Sequence, residues 1–507
     1  MLTEYLSGQI EKLAQRDDLP LHRKLYEALR RAILDGKLTA GHRLPASREL
    51  AHDLQLSRNT VVSALNQLNV EGLLTSHVGR GTFVSDRPVL KTARRQSPQV
   101  SQDTKLSKRG QKILTTFCAG QLEIYPFTSG IVDFSAFPVA LWRRLQQKHW
   151  RMAYPDMLDY SYSGGHAPLR NAVASYLRVF RNMTVDAEQV IITSGTQQSL
   201  ELCAQTLADL DEAVWIEDPA YWGAVKAFMA TGLRLHPVAV DEHGLAPQSL
   251  SEAPPPRLIY VTPSHQYPTG VVMPLARRQE ILAIARRHKA WILEDDYDSE
   301  FRFSGPSIEA LAALDTDQRV LYMGSFSKVL YPGLKLGYLV VPRGLAAPLN
   351  QAHYDLNRPG QIPLQAALAE FIEMGHFTTA LRDARQSYAD RRRCLLDALK
   401  PCLGALAYIS GADQGLHLCV NLPDAVDDKA LAQRIGALGL TVRALSAYCV
   451  HRRDLRGIVI GYGYASLAEI ELHGPILAQT FRAELARLAY EPKPLAHDEH
   501  QRPIFRT

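Results

Sequence analysis

Between residues 85 and 115 the chain reads SDRPVLKTARRQSPQVSQDTKLSKRGQKILT, a stretch too polar and too poor in apolar side chains to bury a core of its own. It predicts a flexible basic linker, and such a linker makes the 507 residues fold as separate bodies. Residues 1–84 precede it as a compact unit of apolar-periodic segments ending in a glycine-punctuated hairpin. Residues 116–490 follow, with helical and strand patterns in alternation, which is the mark of an α/β fold. Residues 491–507 remain as a C-terminal tail, and there is no internal repeat.

The division is also electrostatic. Residues 1–115 carry 19 Lys and Arg against 11 Asp and Glu, and the remainder carries 38 against 41. A basic head on a nearly neutral body fits a polyanionic partner, and it fits a solvated basic face equally well. No run of about 18 apolar residues is present to span a membrane. The N-terminus, MLTEYLSGQIEKLAQRDD, lacks the apolar core of a secretory signal, so the expected location is the cytoplasm. Cys118, Cys203, Cys394, Cys402, Cys419 and Cys449 form no CxxC pair, so reduced thiols are expected, and no metal site.

In the head, Leu21, Leu25, Leu29 and Ile33 recur at helical spacing and Gly36 ends the run. A second helix fits Ser47 to Leu54, Leu56 and Ser57 make the turn, and Ser57 caps a third helix from Arg58 to Glu71. Val61, Leu65 and Leu68 give that helix one buried stripe. Arg58, Asn59 and Thr60 stand near its N-terminus, the arrangement that suits docking in a DNA major groove. In LLTSHVGRGTFV, Gly79 and Gly81 permit a tight turn with Arg80 at the tip, placed for a phosphate or minor-groove contact.

Four segments of the body carry chemistry. GSFSKVLYPGLKLGYLVVP places Lys328 after Ser325 and Ser327 and before Lys335, with a strand from Leu336 to Val341 behind them. A cation beside Lys328 would lower its pKa and favour its attack on a carbonyl. AWILEDDYDSEF reads as a short buried strand with Asp295 and Tyr297 at its C-terminal end, where α/β sheets bind ligands. VIITSGTQQSLEL runs from strand to helix, and Gly195, Thr196 and Gln197 offer backbone N–H groups at the helix start, a ready anion site. IEDPAYWGAVKAF sets Tyr221 in a loop after another strand, as a flat stacking partner. Each segment alone is also an ordinary piece of α/β architecture. Together they supply what pyridoxal 5'-phosphate requires: a Schiff-base lysine, an acid to keep the ring nitrogen protonated, a phosphate cradle and a ring platform.

The motifs also carry a resemblance. LPASRELAHDLQLSRNTVVSALNQLNVEGLLTSHVGRGTFV resembles the winged helix-turn-helix of the GntR family, whose pattern is LPSxRxLA, SRxTVxxAxxxLxxEG and GxGTFV. That resemblance puts Arg48, Arg58, Thr60 and Gly81 on the DNA-contacting positions and Arg80 in the wing. The body resembles the fold-type I aminotransferases from about Phe134 to beyond Gly463. YSGGHAPLRNAVASYL fits their YxxxxGxxxLRxAIxxYL pattern, in which Tyr160 would reach the phosphate held by a neighbouring subunit. TPSHQYPTGVVMP fits their NPTG loop, with Tyr267 in place of the Asn. Lys335 stands where those enzymes carry a phosphate-binding Arg, keeping the charge but losing the fork. The Arg that often holds a substrate α-carboxylate is replaced by Val459, with Arg456 a nearby substitute.

Head and body in this order, with EDDYDSEF and PSHQYPTG, resemble the MocR subfamily of GntR-type regulators. The resemblance implies a winged helix-turn-helix fused to an α/β aminotransferase-like domain with a small C-terminal α+β subdomain. It implies pyridoxal 5'-phosphate bound as a Schiff base to Lys328, with an amino compound or the cofactor itself as effector. A head-to-tail homodimer would then read double-stranded DNA with two half-sites. Two alternatives fit the same residues. One is a working aminotransferase with an accessory head; the other is a repressor indifferent to the cofactor.

Overall fold

The computed structural model describes residues 2–14, 19–77, 79–86, 106–116, 125–135, 137–153, 155–160, 163–249, 253–305 and 309–490. They form two compact units, divided at Lys105 and Leu106. Residues 87–105 of the predicted linker and the tail 491–507 lie outside the described residues. The C-terminal part of the predicted linker is helical: Lys108–Thr115 is a helix of the second unit, and Ser107 Oγ accepts from Gly110 N at 3.1 Å. A serine cap compensates there for a helix that buries none of its residues.

The first unit holds four helices and a hairpin among its described residues. The helix Leu2–Ala14 was not expected from a segment read only for its lack of a signal; it places fully buried Leu6 in the core. Leu21–Leu34 follows, burying Leu25, Leu29 and Ile33, while Leu21 is exposed at the helix start. Ser47–Asp53 and Arg58–Val70 form the helix-turn-helix. Ser57 caps the latter through a 3.1 Å bond from Thr60 N, and the stripe Val61, Leu65, Leu68 packs with Leu25 and Leu29. The hairpin pairs Leu74–His77 with Gly81–Val84.

The second unit is built on an eight-stranded sheet. Its order across the sheet is Val190–Thr193, Gly337–Val340, Val320–Ser325, Trp291–Asp296, Leu258–Val261, Ala213–Asp218, Arg234–Asp241 and Gly244–Leu245. The strands from Val320–Ser325 through Arg234–Asp241 run parallel, Gly337–Val340 is antiparallel to both its neighbours, and Gly244–Leu245 closes a hairpin. The strands Val190–Thr193, Ala213–Asp218 and Leu258–Val261 are buried throughout, as strands covered on both faces are. A four-stranded antiparallel sheet (Tyr408–Ser410, His417–Asn421, Gly457–Gly461, Arg443–Ala444) forms the small subdomain with the helices His376–Leu403, Asp428–Gly436 and Leu467–Tyr490. Among the described residues no helix is long and apolar enough to cross a membrane.

Candidate functional site

The C-terminal ends of the parallel strands converge on one cluster, as strand ends do in open α/β sheets. Asp295 lies at the end of Trp291–Asp296, and Lys328 stands three residues past the neighbouring strand Val320–Ser325. Lys328 is half-buried as a residue, and its amine donates to Gly130 O. Burial pushes this amine below its ordinary range, while the carboxylates of Asp298 and Asp295 pull it back. The lowering expected from a cationic neighbour therefore has burial as its cause. Asp295 is 4% exposed, its Oδ2 accepting from Tyr260 OH at 2.8 Å and its Oδ1 having no hydrogen-bond partner. Burial lifts the Asp295 carboxyl to about 7, with Tyr260 opposing and the charges of Asp296 and Asp298 adding.

Three tyrosines line this cluster at right angles. The Tyr221 and Tyr267 ring centroids are 5.9 Å apart, and those of Tyr267 and Tyr297 are 5.8 Å apart. Tyr267 OH lies 3.1 Å from Tyr448 OH, a partner that an Asn side chain would not reach in the same way. Burial raises the hydroxyls of Tyr221 and Tyr297, and each feels the Asp295 charge.

The glycine turn has the expected geometry. Gly195 has φ +110°, a backbone region that side chains rarely adopt, and a Cβ built on it would meet nothing within 4 Å. The helix Thr196–Leu207 starts there with no side-chain cap, so its first N–H groups lack the usual acceptor. Thr196 is half-buried and Gln197 is exposed, its Nε2 donating to Glu201. Gly337 underlies the turn: a Cβ on it would lie 2.8 Å from Gly195 Cα. Ser325 Oγ accepts from Ser327 N at 3.2 Å. Lys335 is exposed at φ +52° and has no ionic or hydrogen-bond partner among the described residues.

Two residues stand outside this group. Tyr160 is 57% exposed, and nothing links it to Lys328 within one chain. Arg456 commits its Nη1 to the carbonyls of Arg453 and Leu455, at 2.7 and 2.8 Å, and the structure does not bring it to the cluster. Val459 is fully buried with Cys419, Leu445 and Tyr448, so an apolar wall stands at the position read as the carboxylate-holding one.

Reading the sequence missed a polar group beside the cluster. His265 Nδ1 donates to Asp298 Oδ2 at 2.9 Å, and Tyr297 OH donates to His265 O at 3.0 Å. His417 Nε2 donates to Pro268 O at 3.1 Å. Ligand atoms of His265, Asp298 and His417 lie within 4.8 Å of one another. His265 and Asp298 sit inside the quoted motifs PSHQYPTG and EDDYDSEF, but nothing in one sequence says that the two motifs touch.

In the head, Arg48, Arg58 and Arg80 are exposed and carry no ion pair among the described residues. Thr60 is half-buried, its Oγ1 2.8 Å from Ser57 Oγ. Gly81 has φ +108°, and a Cβ there would meet Arg43 Nε at 3.1 Å. Arg43 is therefore a further exposed cation beside the wing, unsingled in the sequence because it precedes the LPASR motif by one residue.

Comparison with known proteins matches both halves. Residues 21–84 match the gntR family of bacterial regulatory proteins, and residues 124–457 match aminotransferase class I and II. The chain is 37% identical over 446 residues to the probable rhizopine catabolism regulatory protein MocR of Rhizobium meliloti, covering 88% of this chain and 90% of that one. It is 32% identical to the pyridoxine biosynthesis transcriptional regulator PdxR of Corynebacterium glutamicum, covering 87% of this chain and 91% of that one. Among solved structures, the α-aminoadipate aminotransferase LysN of Thermus thermophilus superposes with a TM-score of 0.67 at 26% identity, covering 75% of this chain and 98% of LysN. A gntR-type DNA-binding head on an aminotransferase body defines a transcription regulator that carries an enzyme fold. The chain belongs to the MocR type of GntR regulators.

Proposed function

We propose that this regulator binds pyridoxal 5'-phosphate at Lys328 and responds to an amino compound, or to the cofactor itself, by changing its hold on DNA. The observation that carries the reading is the buried Asp295, which leaves one carboxylate oxygen without a partner beside the Lys328 amine. A carboxylate in that state needs a cationic N–H, and a protonated pyridine nitrogen provides one. When bound, the cofactor supplies an aldehyde for Lys328 and a ring that draws electrons from an attached amine.

The residues have distinct tasks. Tyr221 offers its flat face to the ring, and Tyr297 and Tyr267 hold polar atoms on the ring side of the cluster. The uncapped turn at Gly195, Thr196 and Gln197 binds phosphate with Ser325, Ser327 and Lys335, and Tyr160 serves the equivalent site of a second copy. With Val459 in the apolar wall and Arg456 committed elsewhere, the site holds an amine without the Arg clamp for an α-carboxylate. That disfavours ordinary amino-acid transamination. The Rhizobium meliloti relative is named for rhizopine catabolism and the Corynebacterium glutamicum one for pyridoxine biosynthesis, which supports a role in regulating small-molecule metabolism.

In the head, Arg58 and Thr60 enter the major groove while Arg48, Arg80 and the backbone at Gly81 hold the phosphates. A head-to-tail homodimer in the cytoplasm presents two such heads to two half-sites. An effector shifts operator affinity only as far as it binds two arrangements of that dimer differently.

The test is a visible absorption titration of the full chain, first with pyridoxal 5'-phosphate and then with a panel of amines. The expected result is a bound-cofactor band that Lys328→Ala abolishes, and an amine that shifts the band and alters operator binding without releasing a carbonyl product. Steady release of keto acid or aldehyde would make the protein a working aminotransferase. A chain that takes up no cofactor sinks the proposal.

A further inference from the structure

His265 sits in a socket made of glycine. A Cβ on Gly415 would lie 2.0 Å from His265 Cε1, 2.2 Å from its Nδ1 and 2.7 Å from Asp298 Oδ2. On Gly411 and Gly270 it would lie 3.2 and 3.1 Å from His265 Nε2. Three glycines on two backbone segments thus give up their side chains to seat one imidazole. The result is a hydrogen-bonded pair in which both side chains are 1% exposed. Two buried titratable groups at this depth are costly unless each satisfies the other, and removing one leaves the other stranded. A site that needed only packing would be filled more cheaply by apolar side chains.

We propose that Asp298 and His265 are a positioning pair for Lys328 and Tyr297. Asp298 follows Asp296 by two residues and Lys328 follows its register partner Gly324 by four, both past the ends of neighbouring parallel strands, so the Asp298 carboxylate acts on the Lys328 charge. The His265 N–H holds that carboxylate in place, and the His265 main-chain oxygen anchors the Tyr297 hydroxyl. The inference rests on cofactor binding at Lys328. Asp298 is the first among the charges that raise the Lys328 amine against burial. The other titratable groups around the pair are Tyr297, His417, Asp295, Asp296 and Tyr462. Of these, His417 is held well below its ordinary range by burial and by His265, so it contributes no cation.

A metal ion is a poorer occupant of this group than a shared proton. His265 Nδ1 and His417 Nε2 are both spent on hydrogen bonds, and the free His265 Nε2 faces the Cα walls of Gly270 and Gly411. The Lys328 cation also acts on both Asp298 and His417.

The experiment reads the pH midpoint of the visible band in the full chain loaded with pyridoxal 5'-phosphate. Asp298→Asn removes the charge and lowers the midpoint by about one pH unit, the order expected for one nearby opposite charge. His265→Leu strands the carboxylate, which then takes up a proton, so the midpoint falls with it. His265→Asn keeps an N–H donor at the Nδ1 position and restores the wild-type midpoint. A merely structural role would change cofactor occupancy or thermal stability and leave the midpoint in place. An unmoved or raised midpoint in loaded Asp298→Asn overturns the proposal. If that variant does not fold, equal midpoints for His265→Leu and His265→Asn overturn it instead. Wild-type protein that takes up no cofactor overturns this inference together with the cofactor reading, whereas a loaded wild type with unshifted variants overturns this inference alone.

Discussion

Asp295 offers a test in which function and stability move in opposite directions. Raising a carboxyl from 3.8 to about 7 corresponds to roughly 4 kcal/mol against the ionised form. Asp295→Asn keeps the shape and the Tyr260 bond but cannot ionise. The sign follows from linkage. The folded carboxyl titrates higher than the unfolded one, so its penalty is absent below the unfolded value. The penalty then grows as pH rises and is complete above about 7. Cofactor-free Asp295→Asn is therefore expected to be more stable than wild type by about 4 kcal/mol at pH 8, by about 2 kcal/mol at pH 5, and not at all below about pH 3. At about 2.1 cal/mol/K per residue over a body of roughly 400 residues, 4 kcal/mol moves the melting temperature by about 5 °C. Thermal melts of the full chain at three pH values measure this. In the same variant an amide replaces the partner of the pyridine nitrogen, so affinity for pyridoxal 5'-phosphate falls by at least tenfold, read by absorption. Melting curves that coincide at pH 8 would refute the claim that this carboxylate is ionised and stranded in the free site. Wild-type cofactor affinity would refute its role.

Other expectations follow from the same geometry. Arg58→Ala weakens binding to the natural operator by about 1–3 kcal/mol in a gel-shift or anisotropy titration and leaves the cofactor band untouched; unchanged affinity counts against the recognition-helix assignment. Ser57→Ala removes the cap bond to Thr60 N and lowers the stability of the head by about 1 kcal/mol in a denaturant titration. Gly415→Ala combines φ +78° with a Cβ 2.0 Å from His265, so it destabilises the body by about 2–4 kcal/mol, and a melt equal to wild type refutes the socket.

Much of the local structure was legible because it depends on short-range chemistry. Ser57 before Arg58, the buried stripe of Val61, Leu65 and Leu68, and the apolar strand at Val190 with Gly195 after it each announce themselves within a few residues. The helix Leu2–Ala14 is held against the rest of the head by Leu6 together with Leu2, Tyr5 and Ile10, and the helical spacing of Leu2, Leu6, Ile10 and Leu13 was there in the sequence. What the sequence hid depends on contacts between distant segments. The helix Lys108–Thr115 buries none of its residues, so its polarity read as linker. His265 and Asp298 are 33 residues apart, and their meeting depends on Gly415, which follows much later. Arg43 becomes visible as a wing residue only once Gly81 folds beneath it.

The segment from Ser410 to His417 ties the small subdomain to the wall of the cluster. Gln414 donates to Ser264 O, Ser410 Oγ to Thr269 O, and His417 Nε2 to Pro268 O. Every acceptor in these three ties is a main-chain carbonyl, and every donor is a side chain of the subdomain. Mutational tolerance should therefore be lopsided. Positions 264, 268 and 269 can change identity without losing the tie so long as the backbone path holds, whereas Ser410, Gln414 and His417 each carry one that no neighbour replaces. For these three ties alone, divergence is resisted at Ser410, Gln414 and His417, whereas the opposite side depends on the backbone path of PSHQYPTG rather than on the side chains of the three acceptor residues.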